Sequence, residues 1–333
     1  MFKNIFKKKK YLDCPLIKES LHFFYNQIRP CCANVPGPLF YDNYKGEKID
    51  WDYIYNERRN LIKKIRTAKG KNYIPEECKG CCDTNLYLTE EKPEENFKNE
   101  IKRIYFHNHM PCNAKCTYCS YDHFNNGYGY DVLPFVKELI NKGILSKDAL
   151  IYMSGGEITI SKEFEELMSL LTSYLNPPVE ILTSGIKYCE SIKDAFIKNK
   201  CRLMISLDAG TKEVYKRIKQ VDCFDEVVEN MKKYINASDN AKTGITLKYI
   251  IVDGVNDTKE ETERFLTLAQ ELGIVHVRID FDSVKYKYTG NINVPDSYFD
   301  LIDYFYKSAE KKHLTIRKYE QTEAILKKAK VNG

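Results

Sequence analysis

The chain has 333 residues, 12 of them cysteine, with 43% hydrophobic residues, 30% charged residues and a formal net charge of +5. This length allows one large or two smaller domains that bury a core without disulfides, and the composition excludes a globally disordered, collagenous or coiled-coil protein. The lysine run at residues 7–10 is not followed by the apolar stretch of a secretory signal, and no segment has the length and apolarity of a membrane span. We therefore predict a cytoplasmic protein with reduced thiols and with neither a membrane nor a nucleic acid as partner.

The elements predicted in chain order change in character near residue 98. Before it, aromatic and turn-forming residues dominate, apart from one amphipathic helix predicted over 51–69. The charged stretch 90–100 is predicted to be a linker. After it, short apolar runs alternate with amphipathic segments. The predicted strands are 104–106, 149–153, 179–183, 202–207, 244–252 and 275–281. The predicted helices are 131–142, 161–175, 190–199, 212–235, 258–272 and 297–311.

This alternation predicts an α/β fold made of βαβ units with a parallel sheet. Six units fall short of an eight-unit barrel, so the expected architecture is a partial (β/α)6 TIM barrel, with an open doubly wound sheet as the alternative. In both architectures the functional site lies at the C-terminal ends of the strands. We predict an irregular, cysteine-rich N-terminal subdomain over 1–98 and the barrel, with a C-terminal helical extension, over 99–333.

Three cysteines follow the first predicted strand within eight residues: Cys112, Cys116 and Cys119, in a C-x3-C-x2-C spacing. Soft thiolates select zinc, copper(I) or iron–sulfur clusters. Three ligands would leave one iron of a four-iron cluster open, and an open coordination position is typical of a reactive metal site. The alternative is a structural zinc site that pairs Cys78 and Cys81 with the last two of these cysteines, at a wider spacing than is usual for such sites.

The three-cysteine motif resembles that of the radical SAM enzymes, and the resemblance covers roughly residues 101–285. Tyr118 fits the aromatic residue usual before the last cysteine. The resemblance implies that Cys112, Cys116 and Cys119 bind a 4Fe-4S cluster whose fourth iron is chelated by S-adenosylmethionine. It further implies an enzyme that takes an electron from flavodoxin or ferredoxin and abstracts hydrogen from its substrate with a 5′-deoxyadenosyl radical.

Further motifs similar to those of this family follow the next predicted strands. Residues 153–157 read MSGGE, residues 182–185 read LTSG and residues 205–210 read ISLDAG. The paired glycines indicate backbone that approaches something closely, with a simple tight turn as the alternative. Lys219 stands where a basic residue is expected on the cofactor carboxylate, with Arg217 as the alternative. The cofactor contacts implied by the resemblance are Tyr118, Ser154, Gly155, Gly156, Glu157, Ser184, Ser206, Lys219 and Val252.

Three aspartates at the ends of predicted strands are candidates for catalysis. Asp208 follows the fourth strand, where a catalytic role and a role in holding the loop are equally compatible with the sequence. Asp280 and Asp282 end the sixth strand and are expected at the mouth of the barrel, with a surface loop as the alternative.

The region before residue 98 contains six further cysteines. Their pattern looks like that of the SPASM and twitch auxiliary-cluster domains, although in most relatives this region follows the barrel. The resemblance implies a second, auxiliary 4Fe-4S cluster, with a structural zinc site as the alternative. The implied ligands are Cys14, Cys31 (or its neighbour Cys32), Cys78 and Cys81. The default for Cys189, Cys201 and Cys223 is a buried free thiol.

An auxiliary cluster near the substrate would accept an electron from the substrate radical, so we expect an anaerobic, dehydrogenase-like two-electron oxidation. No winged-helix peptide-binding domain is recognisable in the first 98 residues, which favours a small-molecule or carbohydrate-type substrate. The alternatives are a peptide-modifying (RiPP-type) maturase and, more remotely, a zinc-binding structural or interaction module.

Overall fold

The structure, a computed structural model of the chain, divides into two compact units. The first unit contains Met1–His109, Tyr128–Tyr152 and Leu175–Pro177, and the second contains Met110–Gly127, Met153–Tyr174 and Pro178–Gly333. The first unit contains residues on both sides of the boundary predicted at residue 98. The division into domains 1–98 and 99–333 stays a prediction. The residues that the structure describes are 11–31, 38–67, 78, 87–90, 92, 93, 95, 97–119, 129–282, 294–318, 322 and 323.

Strands and helices alternate along most of the described chain. The strands are β1 (Tyr11–Asp13), β2 (Ser20–Phe24), β3 (Gln27–Arg29), β4 (Tyr87–Thr89), β5 (Ile101–His107), β6 (Leu145–Met153), β7 (Val179–Thr183), β8 (Cys201–Ser206), β9 (Ile245–Ile251), β10 (His276–Phe281) and β11 (Thr315–Ile316). The helices are α1 (Pro15–Glu19), α2 (Trp51–Thr67), α3 (Leu133–Asn141), α4 (Phe164–Tyr174), α5 (Glu190–Ile197), α6 (Lys212–Lys219), α7 (Phe224–Ala237), α8 (Asn240–Gly244), α9 (Lys259–Glu271) and α10 (Asp296–Lys311).

In each unit the described strands form a largely parallel sheet, and β1 pairs with β4 in a separate antiparallel ribbon. The strand order is β3–β2–β5–β6 in the first unit and β7–β8–β9–β10–β11 in the second. The six predicted strands correspond to β5 through β10. The mixed α/β fold of the partial-barrel type is therefore confirmed.

In the first unit, β2 pairs in parallel with β5 and packs against α3. The Phe23 ring stacks on Phe106 with centroids 5.3 Å apart, and Phe135 of α3 meets Phe23 edge-on at 5.8 Å. Because successive strand residues point to opposite faces, His22 and His107 lie on the other face, where their ring nitrogens are 2.9 Å apart. Aromatic rings therefore form the core between α3 and this part of the sheet.

In the second unit, helices α9 and α10 cover one face of the sheet. Tyr249 of β9 is fully buried and lies 4.9 Å from the Phe265 ring of α9 and 6.2 Å from the Phe305 ring of α10. By the same alternation, Lys248 lies on the opposite face. Its register partners are Ser206 on β8 and Arg278 on β10. This opposite face is therefore polar, and the functional residues discussed below line it.

Two of the differences between the structure and the sequence-based predictions have a clear physical reason. Strands β2 and β3 lie in a region predicted to be irregular, because β2 is buried on both faces and shows no alternating pattern. The predicted helix 212–235 is two helices, since Gln220 adopts a left-handed conformation (φ 56°) that ends α6. Among the described residues, no helix combines the length and apolarity needed to cross a bilayer.

Candidate active site

The loop after β5 carries the three cysteines, and the end of α6 fixes it. Cys112 is exposed, while Cys116 and Cys119 are half-buried. The backbone N–H of Lys115 donates to the carbonyl of Lys219 (2.9 Å), and that of Thr117 donates to the carbonyl of Ile218 (2.9 Å). The last carbonyls of a helix have no partner within it. Here the cysteine loop supplies the missing donors.

The turn after β6 lies directly against the backbone that leads into this loop. A Cβ at Gly156 would stand 2.1 Å from the carbonyl oxygen of Met110 and 2.5 Å from that of Pro111. The backbone N–H of Glu157 donates to the Pro111 carbonyl (2.8 Å). Gly155 has φ +118°, a conformation that only glycine adopts readily. The close approach predicted for the two glycines therefore involves the cysteine loop, and Ser154 before them is half-buried.

Glu157 is 1% exposed, and its carboxylate organises the ends of β6 and β7. Oε1 accepts hydrogen bonds from the hydroxyls of Thr159 (2.6 Å) and Thr183 (2.7 Å) and from the Thr159 N–H (3.3 Å). Oε2 accepts from the backbone N–H of Ser184 (2.6 Å). Each carboxylate oxygen has about two acceptor sites: the two threonine hydroxyls occupy those of Oε1, where the 3.3 Å bond from the Thr159 N–H is the weakest, and Oε2 has a single donor. Oε2 therefore keeps capacity for one further donor, such as a ligand ammonium.

Ser184 joins the end of β7 to the cysteine loop. Its hydroxyl donates to Oδ1 of Asn113 (3.0 Å), which lies between the first two cysteines. The Ser184 side chain is therefore held by an asparagine of the loop.

A buried network of three polar side chains lies below the cysteine loop. Lys219 (1% exposed) forms an ion pair with Asp208 (0% exposed). The Tyr118 hydroxyl donates to Asp208 Oδ2 (2.5 Å) and accepts from Lys219 Nζ (2.9 Å). Burial acts against the ammonium, but Asp208 outweighs it and the pKa of Lys219 is raised. Arg217, the alternative to Lys219, is exposed and donates to the Gly254 carbonyl (3.1 Å).

Asp208 also holds its own loop. It has a left-handed backbone (φ 60°), and its Oδ1 accepts from the backbone N–H of Ile250 (2.8 Å). The Asn256 amide donates to the carbonyls of Asp208 and Ile250 (2.8 Å each), and its Oδ1 accepts from the half-buried Val252 (2.7 Å). These bonds favour the loop-holding interpretation of Asp208 that the sequence left open.

The polar face of β8, β9 and β10 contains a cation that sequence reasoning missed. Lys248 lies between Ser206 and Arg278, its partners in register. Burial lowers the pKa of Lys248; the carboxylates of Asp208 and Asp280 act in the opposite direction and do not outweigh it. Within the part of the chain that the structure describes, its ammonium has no hydrogen-bond or ion-pair partner. The signal in the sequence was a lysine inside the apolar run of β9.

The two remaining aspartates differ in their surroundings. Asp280 is 5% exposed and forms an ion pair with Arg278 (2.5 Å), and its other oxygen accepts from the Thr322 hydroxyl (2.6 Å). Asp282 is half-buried just after β10. Both carboxylate oxygens of Asp280 are thus bound by neighbouring side chains. A catalytic role for Asp280 or Asp282 stays a prediction.

In the first unit, the described cysteines are buried. Cys14, Cys31 and Cys78 are 5%, 6% and 7% exposed. Cys81 and Cys32 lie outside the described residues. A thiolate at Cys31 interacts with the guanidinium groups of Arg29 and Arg58. Elsewhere Cys189 and Cys201 are fully buried as predicted, whereas Cys223 is half-buried because it immediately precedes α7.

A family model matches the part of the chain that carries the cysteine loop and the residues around it. Residues 111–268 match the model of the radical SAM superfamily. This part of the chain belongs to the radical SAM superfamily. The match contains all three cysteines of the loop, the turn at Gly156 and the network around Asp208.

Two curated proteins, both GTP 3′,8-cyclases by name, resemble the chain over part of its length. It is 28% identical over 177 residues to a probable GTP 3′,8-cyclase of Saccharolobus islandicus, covering 50% of this chain and 53% of the cyclase. It is 25% identical over 181 residues to the GTP 3′,8-cyclase of Aliarcobacter butzleri, covering 51% and 52%. The chain spans about half the length of these curated relatives.

Solved structures share the fold. The crystal structure of Streptococcus suis SuiB covers 81% of this chain and 55% of its own, with a TM-score of 0.52 and 14% identity. SuiB bound to the precursor peptide SuiA covers 88% and 60%, with a TM-score of 0.51 and 12% identity. At these identities the likeness concerns the fold alone.

The donor set fits the group that the superfamily implies in residue type and spacing, since three thiols on one loop are the ligands that iron–sulfur clusters use. Among the described residues, no three His, Cys, Asp or Glu side chains are arranged so that they could hold a metal ion. The loop is held on two sides by backbone hydrogen bonds from α6 and from the turn at Glu157. Cys112 remains exposed, so a cluster and a second ligand have access from outside.

Proposed function

We propose that the chain cleaves S-adenosylmethionine reductively at a 4Fe-4S cluster held by Cys112, Cys116 and Cys119. The observation that carries this proposal is the attachment of the three-cysteine loop to the Gly-Gly-Glu turn and to the end of α6. When bound, the cluster and S-adenosylmethionine supply a 5′-deoxyadenosyl radical that abstracts a hydrogen atom from the substrate. The protein binds and orients these groups and excludes water.

The residues around the loop divide the binding of S-adenosylmethionine among them. Glu157 Oε2 is the acceptor for the methionine ammonium, because it keeps one free acceptor site beside Ser184 N–H. Val252, Ser154 and the backbone of Gly155 and Gly156 complete the proposed contacts, as the resemblance implies.

We assign the carboxylate of S-adenosylmethionine to Lys248 and Ser206 in place of Lys219. Lys219 is enclosed by Asp208 and Tyr118, whereas the Lys248 ammonium faces the polar side of the sheet next to Ser206. Burial disfavours the Lys248 ammonium more than the carboxylates of Asp208 and Asp280 favour it, so an anion that reaches it would stabilise its charge. The Lys248→Met variant should therefore bind S-adenosylmethionine at least tenfold more weakly, while it keeps its iron content; unchanged binding would contradict the assignment.

The activity is tested by replacing the three cysteines with alanine. After anaerobic reconstitution and reduction, the wild-type protein should absorb broadly near about 400 nm, as iron–sulfur proteins do, and should release 5′-deoxyadenosine. The triple variant should lose both properties. Cys201→Ala removes a fully buried thiol from the core of β8 and is the matched control, which should keep both. Cleavage that survives in the triple variant would refute the proposal, and a colourless protein that holds zinc would favour the structural alternative.

We also propose an auxiliary 4Fe-4S cluster at Cys14, Cys31, Cys78 and Cys81. Support comes from the burial of the first three cysteines and from the two arginines whose charges interact with Cys31. A Cys14→Ala/Cys78→Ala variant should lose about four iron atoms per chain, the content of one such cluster. The Cys201→Ala control should lose none. Iron that does not fall would remove the auxiliary cluster and, with it, the reason to expect a two-electron oxidation.

For the substrate we propose a small molecule, with flavodoxin or ferredoxin as the electron donor. The sequence relatives carry the name of a nucleotide cyclase, which supports a small-molecule substrate. Incubation with a metabolite extract in heavy water would trace the abstracted hydrogen. Deuterium in a peptide product and in no metabolite would instead favour the maturase alternative.

A further inference from the structure

The network of Lys219, Tyr118 and Asp208 is more than a support for its loop. A buried ion pair often contributes little to stability, since the cost of removing both charges from water offsets their attraction. Lys219 and Asp208 are 1% and 0% exposed, and both also bind the Tyr118 hydroxyl. Tyr118 belongs to the cysteine loop itself. The network therefore connects the sheet to the proposed cluster site.

The positive charge of Lys219 lies at the negative end of the α6 dipole. The C-terminal end of a helix carries a partial negative charge, and the C-terminal end of α6 faces the cysteine loop through the carbonyls of Ile218 and Lys219. An anionic cluster with three thiolates would be disfavoured there. The Lys219 ammonium, at the last position of the same helix, compensates for this field.

Both donors of the network also reach one cysteine. Tyr118 follows Cys116 by two residues on the loop, and the Lys219 ammonium lies 2.9 Å from the Tyr118 hydroxyl. The Cys116 sulfur is accordingly among the groups that raise the pKa values of both side chains. Hydrogen bonds and positive charge at a ligating sulfur raise the reduction potential of an iron–sulfur cluster. Asp208 anchors the pair from the opposite side, through the ion pair and through the Ile250 N–H.

We infer that Lys219 and Tyr118, held by Asp208, are positioning residues that set the reduction potential of the cluster through Cys116. Lys219 thus acts on the cluster ligand and not on the carboxylate of S-adenosylmethionine. This inference rests on the proposed function, because it requires a cluster at the three cysteines.

The test is a potentiometric titration of the reconstituted protein, followed by the EPR signal of the reduced cluster. Lys219→Met alone leaves Asp208 buried without a counter-charge and endangers folding, so the main variant is Lys219→Met/Asp208→Asn, which removes both charges. Tyr118→Phe removes only the hydroxyl. Lys212→Met is the matched control, since it removes a cation from the same helix whose ion pair with Asp225 (2.7 Å) is exposed.

We expect the equilibrium constant for one-electron reduction to fall about tenfold in the double variant, which corresponds to about 59 mV for a one-electron couple. Tyr118→Phe should shift it in the same direction by about threefold, because one hydrogen bond is lost while the charge stays. Lys212→Met should leave it unchanged, and binding of S-adenosylmethionine should stay close to that of the wild-type protein in all three variants.

An unchanged potential in the double variant would overturn the inference, and weaker binding of S-adenosylmethionine there would return Lys219 to the cofactor carboxylate. A shift of equal size in Lys212→Met would also overturn it, since any cation of α6 would then suffice. A wild-type protein that takes up no iron refutes the proposed function itself, and the inference falls with it.

Discussion

The Gly156→Ala variant tests whether the close approach of the turn after β6 fixes the position of the cysteine loop. The new Cβ would lie 2.1 Å from the Met110 carbonyl oxygen and 2.5 Å from that of Pro111, and both are backbone atoms that no rotamer change can move. The loop must shift by about 1 Å to restore an ordinary contact distance. The hydrogen bond from Glu157 N–H to Pro111 would weaken with it. We expect a loss of about 3 kcal/mol, at the upper end for an overpacked site.

Urea unfolding of the apoprotein measures this loss, and the iron content after reconstitution measures its effect on the cluster site. Gly143→Ala is the control: Gly143 has φ +66° but nothing within 4 Å of the added Cβ. It should cost about 1 kcal/mol through backbone strain alone and should keep its iron. If Gly156→Ala unfolds like the wild-type protein and binds as much iron, the close approach does not constrain the loop and our reasoning is wrong.

Three further predictions concern buried polar groups. Arg58 is 1% exposed and donates to the carbonyls of Ile17 (3.2 Å), Lys18 (2.9 Å) and Ser20, so Arg58→Met should cost about 3 kcal/mol in urea unfolding; the exposed neighbour Arg59→Met should change little, and equal losses would contradict the assignment. Burial lowers the pKa of His22 to about 3, so below the ordinary value of 6.5 the unfolded chain binds a proton that the folded chain refuses. Stability should therefore fall as the pH drops from 6.5 towards 3, by about 2 kcal/mol from this residue at about pH 5, and His22→Gln should flatten that decline; an unchanged pH profile would exclude His22 as its source. Glu157→Gln turns an acceptor towards the Ser184 N–H into a donor or breaks the Thr183 bond, so it should cost about 1–3 kcal/mol and weaken binding of S-adenosylmethionine; binding that stays intact would exclude Oε2 as the ammonium acceptor.

The local sequence determined the βα alternation because each element carries its own period of apolar residues. The predicted strand 179–183 and helix 297–311 agree with β7 and α10 to within a residue at either end. The strands β2 and β3 escaped prediction, since short segments buried on both faces show no period. The break between α6 and α7 depends on one left-handed residue, Gln220, whose side chain gives no such signal.

For the site, residue type and spacing were sufficient where the chemistry is local. Three thiolates on one loop and two glycines in one turn fix a metal motif and a close approach without knowledge of the rest of the chain. The partners of Asp208 and Lys219 are a different case. Their charges attract at any distance in the sequence, and only folding decides which opposite charge is nearest when water is removed.

The sequence alone thus determined the radical SAM motif and the order of its strands. Only the tertiary structure decided that Lys219 is enclosed by Asp208 and Tyr118 while Lys248 faces the polar side of the sheet next to Ser206. The physical reason is that strand register and burial set the free energy of each charge, and neither is a property of the residue or of its neighbours along the chain.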